Sequence, residues 1–200
     1  QGKAQLTFAT AVSDDAGVLR AVIDKYRQST HVQRASLMSA TLSGIRLRAL
    51  RMSAENFAAI QLLTTLLVLS MTRPELAASV TEVAAGGVCD RRLLWRLGMS
   101  GDRPVILASA STMHDVGLLR TLVQALRLWS WGGIACDLVI VNAEPTSYHM
   151  ALQGEIAALC DRYAADSAAA GEPGAAGLHH LRADELSGDE LSTLQCLARV

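Results

Sequence analysis

Two hundred residues hold one good-sized domain, or one domain plus a fragment. Half of them are apolar and only 18% are charged, so a core is easily built and some surface is expected to lie under another domain. The net charge of −1 gives no electrostatic footprint for nucleic acid or an acidic membrane surface.

The chain begins at Gln1 rather than Met, as an excised segment would, and no secretory leader is expected there. Residues 6–12, Leu-Thr-Phe-Ala-Thr-Ala-Val, are β-prone and predict one strand with no partner nearby. Ser13-Asp14-Asp15-Ala16 reads as a helix start with Ser13 as N-cap and acids in the first turn. Val18, Leu19, Val22, Ile23 and Tyr26 follow the spacing of a one-sided helix. Gln28-Ser29-Thr30 interrupts it, and a second helix is expected from about His31 to Leu50. Arg46, Arg48 and Arg51 cluster at its C-terminal end, where cations suit the helix dipole.

Ser53 caps a third helix that carries Phe57, Ile60, Leu62, Leu63, Leu66, Leu67 and Leu69. It is apolar nearly all round, which predicts central burial. Its apolar run, 57–71, is 15 residues and contains Gln61, Thr64 and Thr65. A bilayer needs roughly 20 residues, so the run is read as a buried helix without membrane contact. Arg73-Pro74 ends it, residues 75–83 suggest a short helix, and Gly86-Gly87 a flexible break.

From Arg91 the pattern changes. The run Leu93-Leu94-Trp95-Arg96-Leu97 meets a turn, Ser100-Gly101-Asp102, before an apolar strand at 104–110. Gly98 and Gly101 allow backbone angles that other residues resist, and Pro104 stiffens the exit. A helix is expected at about 115–130 with Val116, Leu119, Leu122, Val123, Leu126 and Trp129 on one face, then a strand at 134–141. Strand, helix and strand with short joins make a parallel, right-handed unit. A helix at 147–163, a small-residue loop at 164–177, a third strand at 178–181 and a last helix opened by Ser187 and running to the chain end complete the reading. The fold class is therefore α/β: a strand remnant and helical linker, then a small three-layer βαβαβ module.

Cys89, Cys136, Cys160 and Cys196 lie far apart, with no CxxC, each beside apolar residues. They are read as buried free thiols rather than a disulfide framework or zinc site. His179 and His180 are adjacent, so on a strand they face opposite sides, and no metal site is expected. There is no GxGxxG after the first strand and no GxxxxGK[ST], and no cofactor is expected.

The polar residues beyond the strand ends are Ser109, Ser111, Thr112, His114, Asn142, Glu144 and Ser147. They suit hydroxyl-rich or phosphate ligands, or they serve as ordinary loop polarity and helix caps. Asp184, Glu185, Asp189 and Glu190 read as a solvated helix start. Trp129 and Trp131 flank Ser130 and point to different faces, one toward the core and one toward a domain interface.

Leu94-Trp95-x-x-Gly98-Met99-Ser100-Gly101-Asp102-x-Pro104 resembles the LWxxGISGDxP signature of cyclic β-1,2-glucan synthases and their phosphorylase relatives in glycoside hydrolase family 94, a glycosyltransferase family 36-like region. Asp137-Leu138-Val139-Ile140-Val141-Asn142 with Ser147-Tyr148 resembles the DLVILN…SY segment of that family, and Leu181-Arg182-Ala183-Asp184 its LRAD segment. Met99 stands where isoleucine is usual, and the small-residue tract at 164–177 is longer than the family's.

The resemblance implies a piece of a multidomain, membrane-associated bacterial enzyme on the cytoplasmic side of the inner membrane. It implies that 1–12 is the last strand of a preceding β-sandwich, 13–90 a helical linker and 91–200 the α/β module. The family's catalytic carboxylate belongs to a barrel C-terminal to this region, so no catalytic residue is expected here. The partners implied are β-glucan and neighbouring domains of the same polypeptide. Trp95 as a stacking plate, with Ser100 and Asp102 as hydrogen-bond partners, is the expected sugar contact. The other reading of the same residues makes Asp102 a turn cap and Trp95 part of the core. The alternatives in function are an autonomous phosphate- or nucleotide-binding module, or a scaffold without a ligand.

Overall fold

A computed structural model describes residues 6–72, 89–170 and 177–200. The chain divides into two compact units, Gln1–Arg51 and Met52–Val200. The expected helix at 75–83 and the Gly86-Gly87 break lie outside the described residues.

The first unit holds α1 (Ala16–Tyr26) and α2 (Ser29–Ala49). Asp15, not Ser13, is the N-cap of α1: its Oδ1 accepts the N–H of Val18 at 2.8 Å. Ser13 instead accepts the N–H of Asp15. Residues 6–12 are not a strand here, and Leu6, Phe8 and Val12 are exposed. A strand requires a ladder partner, and this segment pairs with none among the described residues.

The second unit begins with α3 (Ala54–Thr72), capped as expected by Ser53, whose Oγ accepts the N–H of Asn56. It continues through α4 (Arg92–Arg96), β1 (Val105–Ala110), α5 (Val116–Trp131), β2 (Asp137–Asn142), α6 (Ala151–Ala170), β3 (Leu178–Arg182) and α7 (Gly188–Leu197). The three strands form one sheet in the order β1-β2-β3. Every pairing is parallel, with Val105 opposite Asp137 and Leu138 opposite Leu178.

All six residues of β2 are buried, as a strand covered on both faces must be. Its side chains alternate between two cores. Leu138 and Ile140 join Ile106 and Ala108 of β1, Leu119 and Leu126 of α5, and Leu152 and Ile156 of α6. Val139 and Val141 turn the other way, onto Leu94, Met99, Val105 and Leu194. Each fully buried Leu or Ile contributes about 1.5–3 kcal/mol. The result is a sheet with α5 and α6 on one face and α4 and α7 on the other.

Several boundaries differ from expectation for physical reasons. α6 starts at Ala151 rather than 147, because Glu144 accepts the N–H groups of Leu152 and Gln153 and Met150 takes a positive φ of 32°. It runs on to Ala170, so residues 164–170 are helix and not loop; the rest of the tract, 171–176, lies outside the described residues. Alanine is the best helix former, and Arg127 of α5 pairs with Asp166 at 2.6 Å. α7 ends at Leu197, and the chain then turns extended: Val105 bridges Ala198 in parallel, and Leu107 donates to the carbonyl of Val200.

α3 is covered along a narrow face and mostly exposed, rather than buried all round. Ile60 and Leu67 enter the first core, while Leu62, Leu66 and Met71 are exposed. Among the described residues it is the one helix long and apolar enough to cross a membrane. Its inner face is committed to the fold: Asn56 donates to Thr121, and Trp129 donates to Thr64.

The expectation of four free thiols is corrected. Cys89 and Cys196 form a disulfide with their Cα atoms 6.0 Å apart. The crossing of α7 over α4 brings together two residues 107 positions apart, a proximity that spacing alone does not reveal. Cys136 and Cys160 are free, the first buried and the second half-buried.

Candidate functional site

The turn that joins α4 to β1 is built by backbone economy. Leu97 and Met99 both donate to the carbonyl of Leu94, and Gly98 donates to that of Trp95. Gly98 at φ 77° and Gly101 at φ 71° supply the left-handed angles such a compact turn requires. Met99 is buried against the second core, which anchors the turn from below. Arg91 closes it from the side, with Nη2 donating to the carbonyl of Gly101 and to Asp102 Oδ1.

Trp95 and Asp102 both depart from the alternative reading. Trp95 is 63% exposed and is not core. Its indole N–H donates to the carbonyl of Ser100 at 3.2 Å, which fixes the ring against the turn. Asp102 caps no amide among the described residues; it forms an ion pair with Arg91 at 3.1 Å. Ser100 Oγ accepts the N–H of Asp102. The structure thus gathers Trp95, Ser100 and Asp102 on one exposed turn, beside Arg91, which sequence reasoning missed. No sequence signal marks an arginine 11 positions upstream as the partner of Asp102.

Arg96 reaches Glu190 on α7 at 3.6 Å. Ser187 and Glu190 form a reciprocal capping box, and the N–H and hydroxyl of Ser187 hold the Glu190 carboxyl below the usual range, with Arg96 adding to the effect. Asp184 is taken by Arg182, whose guanidinium lowers its pKa. The acidic stretch 184–190 is therefore partly structural.

The strand-end cluster is likewise absorbed into the fold. Asp115 Oδ2 accepts the N–H groups of Ser111 and Thr112, each at 2.9 Å, and these bonds lower its pKa. A phosphate at this turn would need the same donors. Asn142 is buried; it donates to Gln153 Oε1 at 2.7 Å and accepts the N–H of Glu144. Glu144 caps α6, and Ser147 accepts the N–H of Met150. Ser109 and His114 are exposed.

His179 and His180 occupy adjacent positions of β3, opposite Val139 and Ile140, and so face opposite sides. Among the described residues, no three of His, Cys, Asp or Glu gather closely enough to hold a metal ion. Trp129 is the core member of its pair, while Trp131 lies under the Arg127 guanidinium.

Comparison with known proteins agrees with the motif reading at a coarse level. The chain is 29% identical over 161 residues, 80% of its length, to the cyclic beta-(1,2)-glucan synthase NdvB of Rhizobium meliloti (strain 1021). The two are related over that span, which is 6% of the length of NdvB. No family model matches the chain.

Proposed function

We propose that this chain is a non-catalytic segment of a larger bacterial protein of the cyclic β-1,2-glucan synthase and phosphorylase kind, and that Trp95, Ser100 and Asp102 form its sugar contact. Its parent is then a multidomain, membrane-associated glycosyltransferase or phosphorylase, with this segment on the cytoplasmic side and the catalytic carboxylates elsewhere. The relatedness to NdvB supports the context. The observation that carries the site is the exposed indole of Trp95, held rigid beside the Arg91–Asp102 pair.

A pyranose ring has an apolar C–H face and a rim of hydroxyls. The indole face accepts the first by stacking, and a carboxylate and guanidinium accept and donate to the second. A side chain already fixed by its N–H loses little freedom on binding. The mechanical part of the role is bracing: the exposed leucines of α3 fit a surface that neighbouring domains cover.

Titration of β-1,2-linked glucan oligosaccharides by calorimetry tests the site. Trp95→Ala and Asp102→Ala are each expected to weaken binding about tenfold, the 1.4 kcal/mol scale of one lost stacking or charged contact. Binding that is unchanged in both variants removes the turn as a sugar site.

A further inference from the structure

We infer that Cys89 and Cys196 act as a reversible thiol–disulfide clasp that fastens the last helix to the start of the α/β unit. The pair satisfies the geometry of a bond without backbone movement, with Cα atoms 6.0 Å apart. Cys89 is exposed and Cys196 half-buried, so a small thiol reaches them. Cys136 and Cys160 do not compete. Burial, reinforced by Asp137, pushes the Cys136 thiol up to about 12, and burial also raises Cys160.

The seam that the clasp closes carries both apolar and polar contacts. Leu94 and Leu194 meet within the smaller core. Beyond that, the N–H of Asp90 donates to Thr193 at 3.2 Å, and Arg96 faces Glu190 at 3.6 Å. A cross-link spanning 107 residues adds a large constraint on the unfolded chain to these contacts. It also fixes Cys196 two residues before Ala198, where the chain begins to pair with β1.

The exchange balances with a low-molecular-weight disulfide such as oxidised glutathione. The Cys89 thiolate attacks one glutathione sulfur, forms a mixed disulfide and expels one glutathione thiolate. The Cys196 thiolate then attacks the Cys89 sulfur, forms the protein disulfide and expels the second. Two electrons pass from the cysteines to glutathione, and the two cysteine protons go to the two departing thiolates. Reduced glutathione drives the reverse steps. A reducing cytosol holds such a pair open and an oxidising episode closes it.

The test equilibrates the full chain in oxidised and reduced glutathione buffers. Native alkylation with peptide mapping, thermal unfolding and amide hydrogen exchange are then read. Oxidised protein is expected to yield a joined Cys89–Cys196 peptide and no rapidly labelled cysteine. Reduced protein is expected to label both cysteines together, with Cys136 and Cys160 slow, to melt about 10 °C lower and to exchange amides of residues 188–200 at least tenfold faster. Cys89→Ser is expected to show the reduced melting temperature in both buffers. Peptides that never join under oxidation overturn the clasp. So does a joined form whose melting and exchange match those of the reduced form. Both outcomes are read on the unmutated chain, independently of how the variant folds.

Discussion

Trp129 donates its indole N–H to the hydroxyl of Thr64 at 2.6 Å, joining α5 to α3 across a seam that also carries the Asn56–Thr121 bond. Trp129 is buried, so this donor has no water to turn to. Thr64→Val keeps the shape and removes the acceptor. The expected cost is about 1–3 kcal/mol, read from urea unfolding. A variant as stable as the parent shows that the bond contributes nothing net.

Gly101 is the tightest point of the α4–β1 turn. Its φ is 71°, and a Cβ there meets Arg91 Nε at 2.9 Å and Leu94 Cδ1 at 3.0 Å. Gly101→Ala adds left-handed strain to that crowding and is expected to destabilise the chain by about 1–2 kcal/mol. It also displaces Arg91, so Trp95 fluorescence anisotropy is expected to fall. Unchanged stability shows that the turn is soft.

Asp102→Ala serves as the contrasting probe. The Arg91–Asp102 pair is more than half exposed on both sides, so its loss is expected to cost about 0–1 kcal/mol. Ser187→Ala removes the cap of α7 and is expected to cost about 1 kcal/mol. Circular-dichroism melts of the two variants separate a binding defect from a folding defect. A larger loss in Asp102→Ala than in Ser187→Ala reverses this ranking.

The two histidines of β3 give a pH dependence with a definite sign. Burial lowers the pKa of His179, with Asp137 raising it and Arg103 lowering it. Burial also lowers His180, with Arg182 lowering it further and Glu185 raising it. Both bind a proton less readily in the folded chain than at the ordinary value of about 6.5, so the unfolded chain takes up more protons below that pH. Their contribution is complete above pH ~6.5 and is lost as pH falls through the folded values. The lowered carboxyls of Asp115, Asp184 and Glu190 act in a separate, more acidic window, lost as pH falls through their own folded values. Stability measured from pH 7 to 5 is expected to decline, and His179→Gln with His180→Gln to flatten the decline. A slope unchanged by the double variant assigns it elsewhere.

The sheet was legible because its signals are local. Continuous apolar runs at 105–107 and 138–141, separated by a one-sided helix, leave little besides a parallel pair. The paired glycines at 98 and 101 announced their backbone angles for the same reason. What stayed hidden depends on contacts between distant residues. The Cys89–Cys196 bond needs the α7 crossing to bring its partners together. Arg91 becomes part of the turn only once α4 is folded. Residues 164–170 read as loop because small residues suit both states; the Arg127–Asp166 pair is among the contacts on the helical side. Trp95 was open to two readings, and only the packing of Met99 beneath the turn explains why its ring lies outside.

The last three residues, running alongside β1, also bear on self-association. An uncovered parallel flank is an invitation for another molecule to add a strand. Residues 198–200 occupy that flank on one side. On the opposite side, where β3 pairs only with β2 among the described residues, the strand carries His179, His180 and Arg182. As pH falls through their lowered folded values, protonation of the two histidines adds charge there, so acid that weakens each molecule also discourages its sheet from recruiting a neighbour's.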